Sequence, residues 1–144
     1  MRPFRLDIIT PQRKAFSEDV NSVMAPTVNG MIGVLALHEP LFSALTEGEI
    51  KITSGSKEYF LAIGSGFMEV TKTGVSILVT SAFHAHEINE AEIKKAQQTA
   101  KEALLKQIKG VELSTAQALL RRSILELKVL HRRRERPVRQ HPVN

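Results

Sequence analysis

The sequence predicts an α+β protein, in which an N-terminal all-β sandwich is followed by a C-terminal antiparallel hairpin of two helices. Before about residue 85, short runs of alternating apolar and polar residues are separated by frequent turn signals, with too little chain between them for helices. After that point the apolar residues recur at helical spacing, and no proline occurs before Pro137. The change of period therefore divides the chain into a β part and a helical part.

Turn residues delimit the strands of the β part. Phe4, Leu6 and Ile8 share one face of a first strand, and Asn29-Gly30, Ser54–Lys57 and Lys72–Gly74 mark turns between later strands. The segment Gly64-Ser65-Gly66 lies between two strand signals. It has two interpretations, a turn that lets a phosphate approach the backbone or a tight strand connection that needs positive φ.

Capping residues delimit two helices. Asn89 with Glu92 predicts the start of a helix over about 89–109, and Gly110 is a candidate C-cap. Ser114 with Gln117 predicts the start of a second helix, which runs to about residue 134. Two helices joined by so short a loop must run antiparallel. The predicted inward stripes are Ile93, Ala96, Ala100, Ala103 or Leu104 and Ile108, then Leu113, Ala116, Leu120, Ile124 and Leu127.

These patterns predict three regions. Residues 1–86 form the sandwich, residues 87–134 form the helical hairpin, and residues 135–144 form a basic tail that we expect to be flexible. Because the stripe of the first helix is largely alanine, the hairpin buries little apolar area and is expected to be weakly held.

Positive charge is concentrated at the C-terminus. The net charge of the 144 residues is +5, but residues 121–144 carry eight Lys and Arg against two Glu, a net charge of +6. Such a segment suits an acidic partner, and nucleic acid is one alternative, although no aromatic residues interleave with the arginines. The chain has no cysteine, no apolar run near the roughly 18 residues of a membrane span and no signal-peptide pattern, so we expect a soluble intracellular protein.

No catalytic motif is convincing. The phosphate-binding GxxxxGK[ST] loop, HExxH and GxSxG are all absent from the sequence. His84 and His86 would face one side of a strand and suggest a metal site, but no third ligand is evident. His38-Glu39-Pro40 suggests acid–base chemistry or, alternatively, a structural loop histidine. We expect no catalytic residues, no metal and no cofactor.

Three stretches together resemble the epsilon subunit of bacterial F-type ATP synthase, the counterpart of the mitochondrial delta subunit. The first stretch is LDIITP at residues 6–11, and the last is VSIL at residues 75–78. Between them, the residues that match the family pattern are Gly30, Gly33, Leu35, His38, Pro40, Leu41, Leu45, Gly48 and Ser65–Val70. The resemblance spans nearly the whole chain, and the family combines a β-sandwich with an alanine-rich helical hairpin.

The resemblance implies a non-catalytic subunit of the central stalk, held peripherally at the cytoplasmic face of the cell membrane. Such a subunit binds gamma and the polar loops of the c-ring through its sandwich, and it helps couple proton flow to ATP synthesis. Contact with the membrane is then only indirect, and nucleic acid is not a partner. The residues that the resemblance assigns to the c-ring and gamma interface are Gly30, Met31, Ile32, Gly33, His38 and Pro40, with Met31 and Ile32 as an exposed apolar tip.

The resemblance also implies that the hairpin can extend along gamma and inhibit ATP hydrolysis by contacting acidic segments of the catalytic alpha and beta subunits. The candidate contacts are Arg121, Arg122, Arg132, Arg133, Arg134 and Arg136.

Some family members bind ATP on the folded hairpin through an Ile-Asp-x-x-Arg-Ala motif and two arginines four residues apart. Here the first motif becomes Ile88-Asn89 with Glu92 in place of arginine, and Arg122 is followed by Glu126. Only Ile88, Asn89 and Arg122 remain as a degenerate nucleotide site, so the sequence predicts weak ATP binding or none. Two other classes stay open at this stage, a free-standing nucleic-acid-binding protein and a small sandwich enzyme.

Overall fold

The structure is a computed structural model that describes residues 1–106 and 110–135. Most of the predicted basic tail lies outside these residues. The described chain forms two compact units, one over Met1–His84 and one that begins at Ala85. The first unit is built of strands and the second of helices. The predicted fold class, a β-sandwich followed by two helices, is confirmed.

Ten strands form the first unit. Their bounds are β1 (Phe4–Ile9), β2 (Lys14–Val20), β3 (Ser22–Thr27), β4 (Gly30–Leu35), β5 (Leu41–Leu45), β6 (Gly48–Ser54), β7 (Lys57–Ile63), β8 (Gly66–Val70), β9 (Gly74–Val79) and β10 (Ala82–His84). The hydrogen-bonded order is β10-β7-β6-β3-β5-β8-β9-β1-β2, and β4 branches off this path by pairing with β3. All pairs are antiparallel except β1 with β9.

The core lies between the inward faces of these strands. Along β1, Leu6 and Ile8 are fully buried, and Phe4 packs against the same cluster, as the alternating pattern predicts. The fully buried side chains of the β unit are otherwise mostly branched aliphatic residues from β2, β3, β4, β6, β7 and β9, with Met68 from β8. A core of this kind gives the sandwich a rigid frame on which outward-facing residues are held in fixed positions.

A charged cluster lies on the solvent side of β1 and β2. Ser17 donates a hydrogen bond to the Asp7 carboxylate, and Lys14 and Arg5 lie 3.6 and 3.8 Å from it. The hydrogen bond from Ser17 lowers the pKa of Asp7 most, and the two cations lower it further against the opposing effect of burial. The edge of the sheet at β2 is therefore charged.

The turn at Gly64-Ser65-Gly66 is a tight strand connection, but the expectation of positive φ there is wrong. Positive φ occurs among the described glycines at Gly30, Gly55 and Gly110 only. The two glycines are required by close packing instead. A Cβ atom on Gly66 would lie 1.9 Å from the Leu78 carbonyl oxygen, and one on Gly64 would lie 2.1 Å from the Thr80 hydroxyl.

Replacing Gly66 by alanine is expected to destabilise the sandwich by about 1–3 kcal/mol, because the added methyl group forces the β8–β9 pair apart. Chemical denaturation followed by circular dichroism measures this free energy of unfolding. Gly33→Ala is the matched control, since a Cβ there meets nothing within 4 Å. Equal stability of the two variants would contradict the packing argument.

The second unit contains a 3-10 turn (Ala85–Glu87) and two helices, α1 (Glu90–Leu105) and α2 (Val111–Glu135). Asn89 caps α1 as predicted, and its side chain accepts hydrogen bonds from the amides of Ala91 and Glu92. The helices run antiparallel, since Glu90 at the start of α1 lies 3.7 Å from His131 near the end of α2.

Three details of the helical prediction are wrong. α2 begins at Val111 rather than Ser114, because the Ser114 amide already donates to the Gly110 carbonyl inside the first turn. α1 ends at Leu105, so Gly110, with φ of 73°, precedes α2 and does not cap α1. Ile124 is 52% exposed and lies outside the buried positions of α2, which are Ala116, Ser123, Glu126, Val129 and Leu130.

Candidate partner-binding site

The β3–β4 hairpin carries four of the predicted interface residues. Its turn is Val28-Asn29, and Gly30 follows with φ of 113°. Met31 is 57% exposed, as expected for an apolar tip, but Ile32 is not part of that tip. Ile32 faces inward opposite Ala25 and packs against the core, since neighbouring residues of a strand point to opposite faces. Gly33, like Met31, faces outward.

The loop between β4 and β5 carries the other two predicted interface residues, His38 and Pro40. Leu37 has φ of 63° and is 81% exposed, a strained conformation for a residue with a branched side chain. Beside it, the His38 Nδ1 lies 2.7 Å from the Glu39 carbonyl, so this nitrogen is the donor of a local hydrogen bond. That contact supports the structural interpretation of His38 over acid–base chemistry. Pro40 is exposed and lines a shallow surface groove with Phe42.

An exposed apolar cluster, which we call the aromatic patch, lies on the outer face of β5, β8 and β9. It consists of Phe42, Phe67 and Leu78, which are 68%, 51% and 52% exposed. The two phenylalanine rings stack with centroids 5.5 Å apart and planes at 18°. Leu78 is directly opposite Phe67 in the ladder. Large apolar side chains gathered on the solvent face of a sheet are typical of a surface that binds another protein.

The aromatic patch is absent from the expectations drawn from the sequence. A signal for it was present, since Met68 and Val70 alternate with Phe67 and Glu69, which places Phe67 on the outward face. Phe67 and Leu78 belong to the consecutive strands β8 and β9, but bringing Phe42 beside them depends on the pairing of β5 with β8, which are distant in sequence.

The candidate inhibitory arginines differ in their surroundings. Arg121 and Arg133 are exposed on α2, and Arg132 lines a groove between the helices with Gln97 and His131. The Nε of Arg122 lies 2.7 Å from Oε1 of Glu126, a buried carboxylate, so this guanidinium is paired within its own helix. The side chain of Arg134 and all of Arg136 lie outside the described residues.

The residues of the degenerate nucleotide site have other roles in this structure. Asn89 uses its side-chain oxygen to cap α1, and Arg122 is neutralised by Glu126. Ile88 is half-buried between the 3-10 turn and α1. None of the three lines the groove between the helices. Their chemistry offers no uncompensated cation for a phosphate group.

The two histidines that suggest a metal site lie in different elements. His84 lies on β10 and bonds the Ala15 carbonyl at 2.7 Å, whereas His86 belongs to the 3-10 turn, so the expectation that both face one side of a strand is wrong. Within residues 1–106 and 110–135, no three His, Asp or Glu side chains are grouped to hold a metal ion. No helix in the described ranges is long and apolar enough to cross a membrane.

Comparison with known proteins matches residues 3–85 to the family model described as ATP synthase, Delta/Epsilon chain, beta-sandwich domain. A protein of Dehalococcoides mccartyi named ATP synthase epsilon chain is 38% identical over 95% of this chain and 99% of its own length. The chain belongs to the ATP synthase epsilon chain family. A relative from Herpetosiphon aurantiacus with the same name is 37% identical over 93% of this chain and 98% of its own. A protein of Propionigenium modestum named ATP synthase epsilon chain, sodium ion specific, is 30% identical over 90% of this chain and 94% of its own length.

Two solved structures share the fold of this epsilon chain. One, from the Euglena gracilis mitochondrial ATP synthase with its c-ring, has a TM-score of 0.64 at 22% identity and covers 90% of this chain and 78% of its own. The other, from the central stalk and c-ring of the Tetrahymena thermophila mitochondrial ATP synthase, has a TM-score of 0.61 at 14% identity. The match covers 90% of this chain and 97% of that one. The comparisons give no support to the nucleic-acid-binding alternative.

Proposed function

We propose that this epsilon chain is a non-catalytic subunit of the central stalk of a proton-translocating ATP synthase. In this role it binds the gamma subunit through its sandwich and the c-ring through the tip of the β3–β4 hairpin. The exposed, stacked pair of Phe42 and Phe67 is the observation that carries the proposal. A lone soluble domain gains nothing from exposing two aromatic rings on one face, whereas a subunit buries them against its partner.

The tip of the β3–β4 hairpin suits the c-ring. Val28 and Met31 are 64% and 57% exposed, and the turn between them is uncharged. Met31 and Gly30 are the interface residues that this proposal retains at the tip, while Ile32 contributes only by packing beneath them. Such a subunit is peripheral at the cytoplasmic face of the cell membrane, because its contact with the membrane is made through the ring.

Regulation of ATP hydrolysis is the second part of the proposal. In the folded hairpin, Arg133 and Arg121 are exposed on α2. When the hairpin opens, α2 can carry these exposed cations to the acidic segments of the alpha and beta subunits.

Co-purification tests the proposed assembly. The chain, expressed with the gamma subunit of the same synthase, is expected to elute with gamma at one-to-one stoichiometry in size-exclusion chromatography. Binding that falls steeply with salt and requires DNA or RNA instead of gamma would favour the nucleic-acid alternative. Separate elution of the two proteins would refute the docking role.

The isolated epsilon chain is expected to bind MgATP weakly or not at all. Relative to a site with arginines at positions 92 and 126, each charge reversal costs about 1–3 kcal/mol near a phosphate, so affinity falls roughly 10- to 10⁴-fold. Isothermal titration calorimetry measures this directly. The double variant Glu92→Arg with Glu126→Arg is the matched comparison and should bind more tightly than the wild type. Micromolar binding by the wild type would show that other basic residues hold the nucleotide.

A further inference from the structure

The apolar contact that holds the helical hairpin together is small. In α1, Ile93 and Ala100 are the buried residues. In α2, two of the buried residues, Ser123 and Glu126, are polar. Because buried apolar area supplies most of the attraction between packed helices, polar contacts carry a larger share of the free energy that keeps this hairpin folded.

An ion pair joins the two helices at the end of the hairpin that lies away from the connecting loop. The Nε2 atom of His131, near the end of α2, lies 3.7 Å from Oε1 of Glu90, the first residue of α1. The Nζ atom of Lys94 lies 2.9 Å from the same carboxylate oxygen. The loop already joins the helices at the other end, so a contact at this end directly opposes their separation.

Other charged groups lie around His131. On its own helix, Lys128 and Arg132 line the same groove. These two cations stay beside His131 whether the hairpin is folded or open, so they affect both states to a similar extent. Glu90 and Lys94 belong to α1, and they move away from His131 when the helices separate.

The 3-10 turn that precedes α1 also packs against α2, and it carries His86 and Glu87. Glu87 acts on a charged His131 in the same sense as Glu90, and a charged His86 acts in the opposite sense. Glu90 is the acidic group at ion-pair distance from His131. The attraction that the hairpin loses on opening therefore depends chiefly on Glu90, and Lys94 reduces it.

We propose that Glu90 and His131 form a pH-sensitive latch, which holds the hairpin folded when His131 carries a proton. The inference rests on the proposed function, since it assigns a control to the hairpin whose opening inhibits ATP hydrolysis. Histidine is the side chain that ordinarily changes charge between about pH 5 and pH 8, whereas a glutamate carboxylate stays ionised over this range. The charge of the latch therefore changes at His131.

The direction of the response follows from the charges. A proton on His131 adds an attraction to Glu90 that exists only while the helices are in contact. Acid therefore favours the folded hairpin, and a rise in pH favours the open one. Because the His131 side chain is 52% exposed, solvent weakens the attraction. We expect the ratio of open to folded hairpin to rise about 2- to 5-fold between about pH 5 and pH 8.

Thiol labelling measures this ratio on the full chain, because the sequence has no cysteine of its own. Ser123 is 2% exposed, so Ser123→Cys places a thiol that reacts with a methanethiosulfonate reagent when α2 separates from the elements packed on it. The labelling rate is divided by the rate for the same chain unfolded in urea at the same pH, which removes the titration of the thiol itself. This normalised rate is expected to rise about 2- to 5-fold from about pH 5 to pH 8.

Three substitutions in the Ser123→Cys chain test the latch. His131→Lys stays positively charged throughout this range, so its normalised rate should remain at the low value that the parent chain has in acid. His131→Gln carries no charge and should keep the high value that the parent chain reaches at about pH 8. Glu90→Gln should also lose the response, because it removes the negative charge. A pH response that persists in His131→Gln or in Glu90→Gln would overturn the inference.

His86→Gln is the matched control, since it removes a second histidine from the same unit. Its normalised rate should respond to pH as that of the parent chain does. Loss of the response in His86→Gln would overturn the assignment to His131. Circular dichroism shows whether each chain is folded, and if Ser123→Cys is not, Ala116→Cys at a 7%-exposed position of α2 replaces it.

Failure of the latch and failure of the proposed function can be told apart. The labelling uses the isolated chain, so a rate that does not change with pH would overturn the latch and leave the role in the synthase intact. If labelling responds as expected but deletion of the chain from Ser114 onward leaves ATP hydrolysis unchanged, the proposed inhibition is overturned, and the regulatory role of the latch with it.

Discussion

Deleting the chain from Ser114 onward is expected to raise ATP hydrolysis by the assembled synthase about 5-fold or more, while the complex stays assembled. α2 has 25 residues and would reach roughly 37 Å along the stalk once released. The cations at its C-terminal end also interact favourably with the helix dipole. Each pair that they form with an acidic segment contributes about 1.5–3 kcal/mol before desolvation is subtracted. Steady-state hydrolysis by the purified enzyme measures the effect.

The arginines allow a sharper comparison than the deletion. Arg132→Ala with Arg133→Ala should raise hydrolysis toward the level of the deletion. Arg122→Ala is the matched control, because this side chain is already paired with Glu126 in α2 and has less charge to offer a partner. Salt should partly relieve inhibition in the wild type, since the Debye length over which charges interact shortens to about 3 Å at 1 M ionic strength. Unchanged hydrolysis after the deletion would place any inhibition elsewhere in the enzyme.

The sequence predicted the elements that depend on local chemistry. Turn residues and alternation located the strands, and Asn89 located the start of α1, because capping and pleating act over a few neighbouring residues. The prediction that the second helix begins at Ser114 is wrong for a related reason, since it also rests on a local pattern. A serine followed three residues later by glutamine satisfies the local pattern of a cap, but Gly110 and Val111 had already begun the helix.

The candidate site was less accessible from the sequence. Met31 is exposed as predicted, but Ile32 faces the core, because a strand alternates its faces even at the tip of a hairpin. In the aromatic patch, Phe67 and Leu78 lie on a local hairpin, but Phe42 joins them only because β5 pairs with β8 in a particular register. That pairing joins strands that are distant in sequence, and a local pattern does not contain its register.

Replacing Phe67 by aspartate is expected to weaken binding to the gamma subunit by roughly 30- to 1000-fold, the range for losing a central aromatic anchor of an interface. The ring is half-exposed and stacked on Phe42, so its replacement removes the stacking contact as well as apolar area. The same change also places an uncompensated charge in the buried centre of the interface. Surface plasmon resonance with immobilised gamma measures the change in affinity.

Two controls separate docking from folding. Phe67→Leu keeps an apolar side chain and should lose much less affinity, and Leu105→Asp introduces the same charge at an 82%-exposed apolar position of α1, outside the sandwich. Because Phe67 is half-exposed and lies outside the buried core, Phe67→Asp should leave the chain folded and lower the melting temperature only by the loss of its stacking contact with Phe42. A folded Phe67→Asp chain that binds gamma as tightly as the wild type would show that gamma docks on another face of the sandwich.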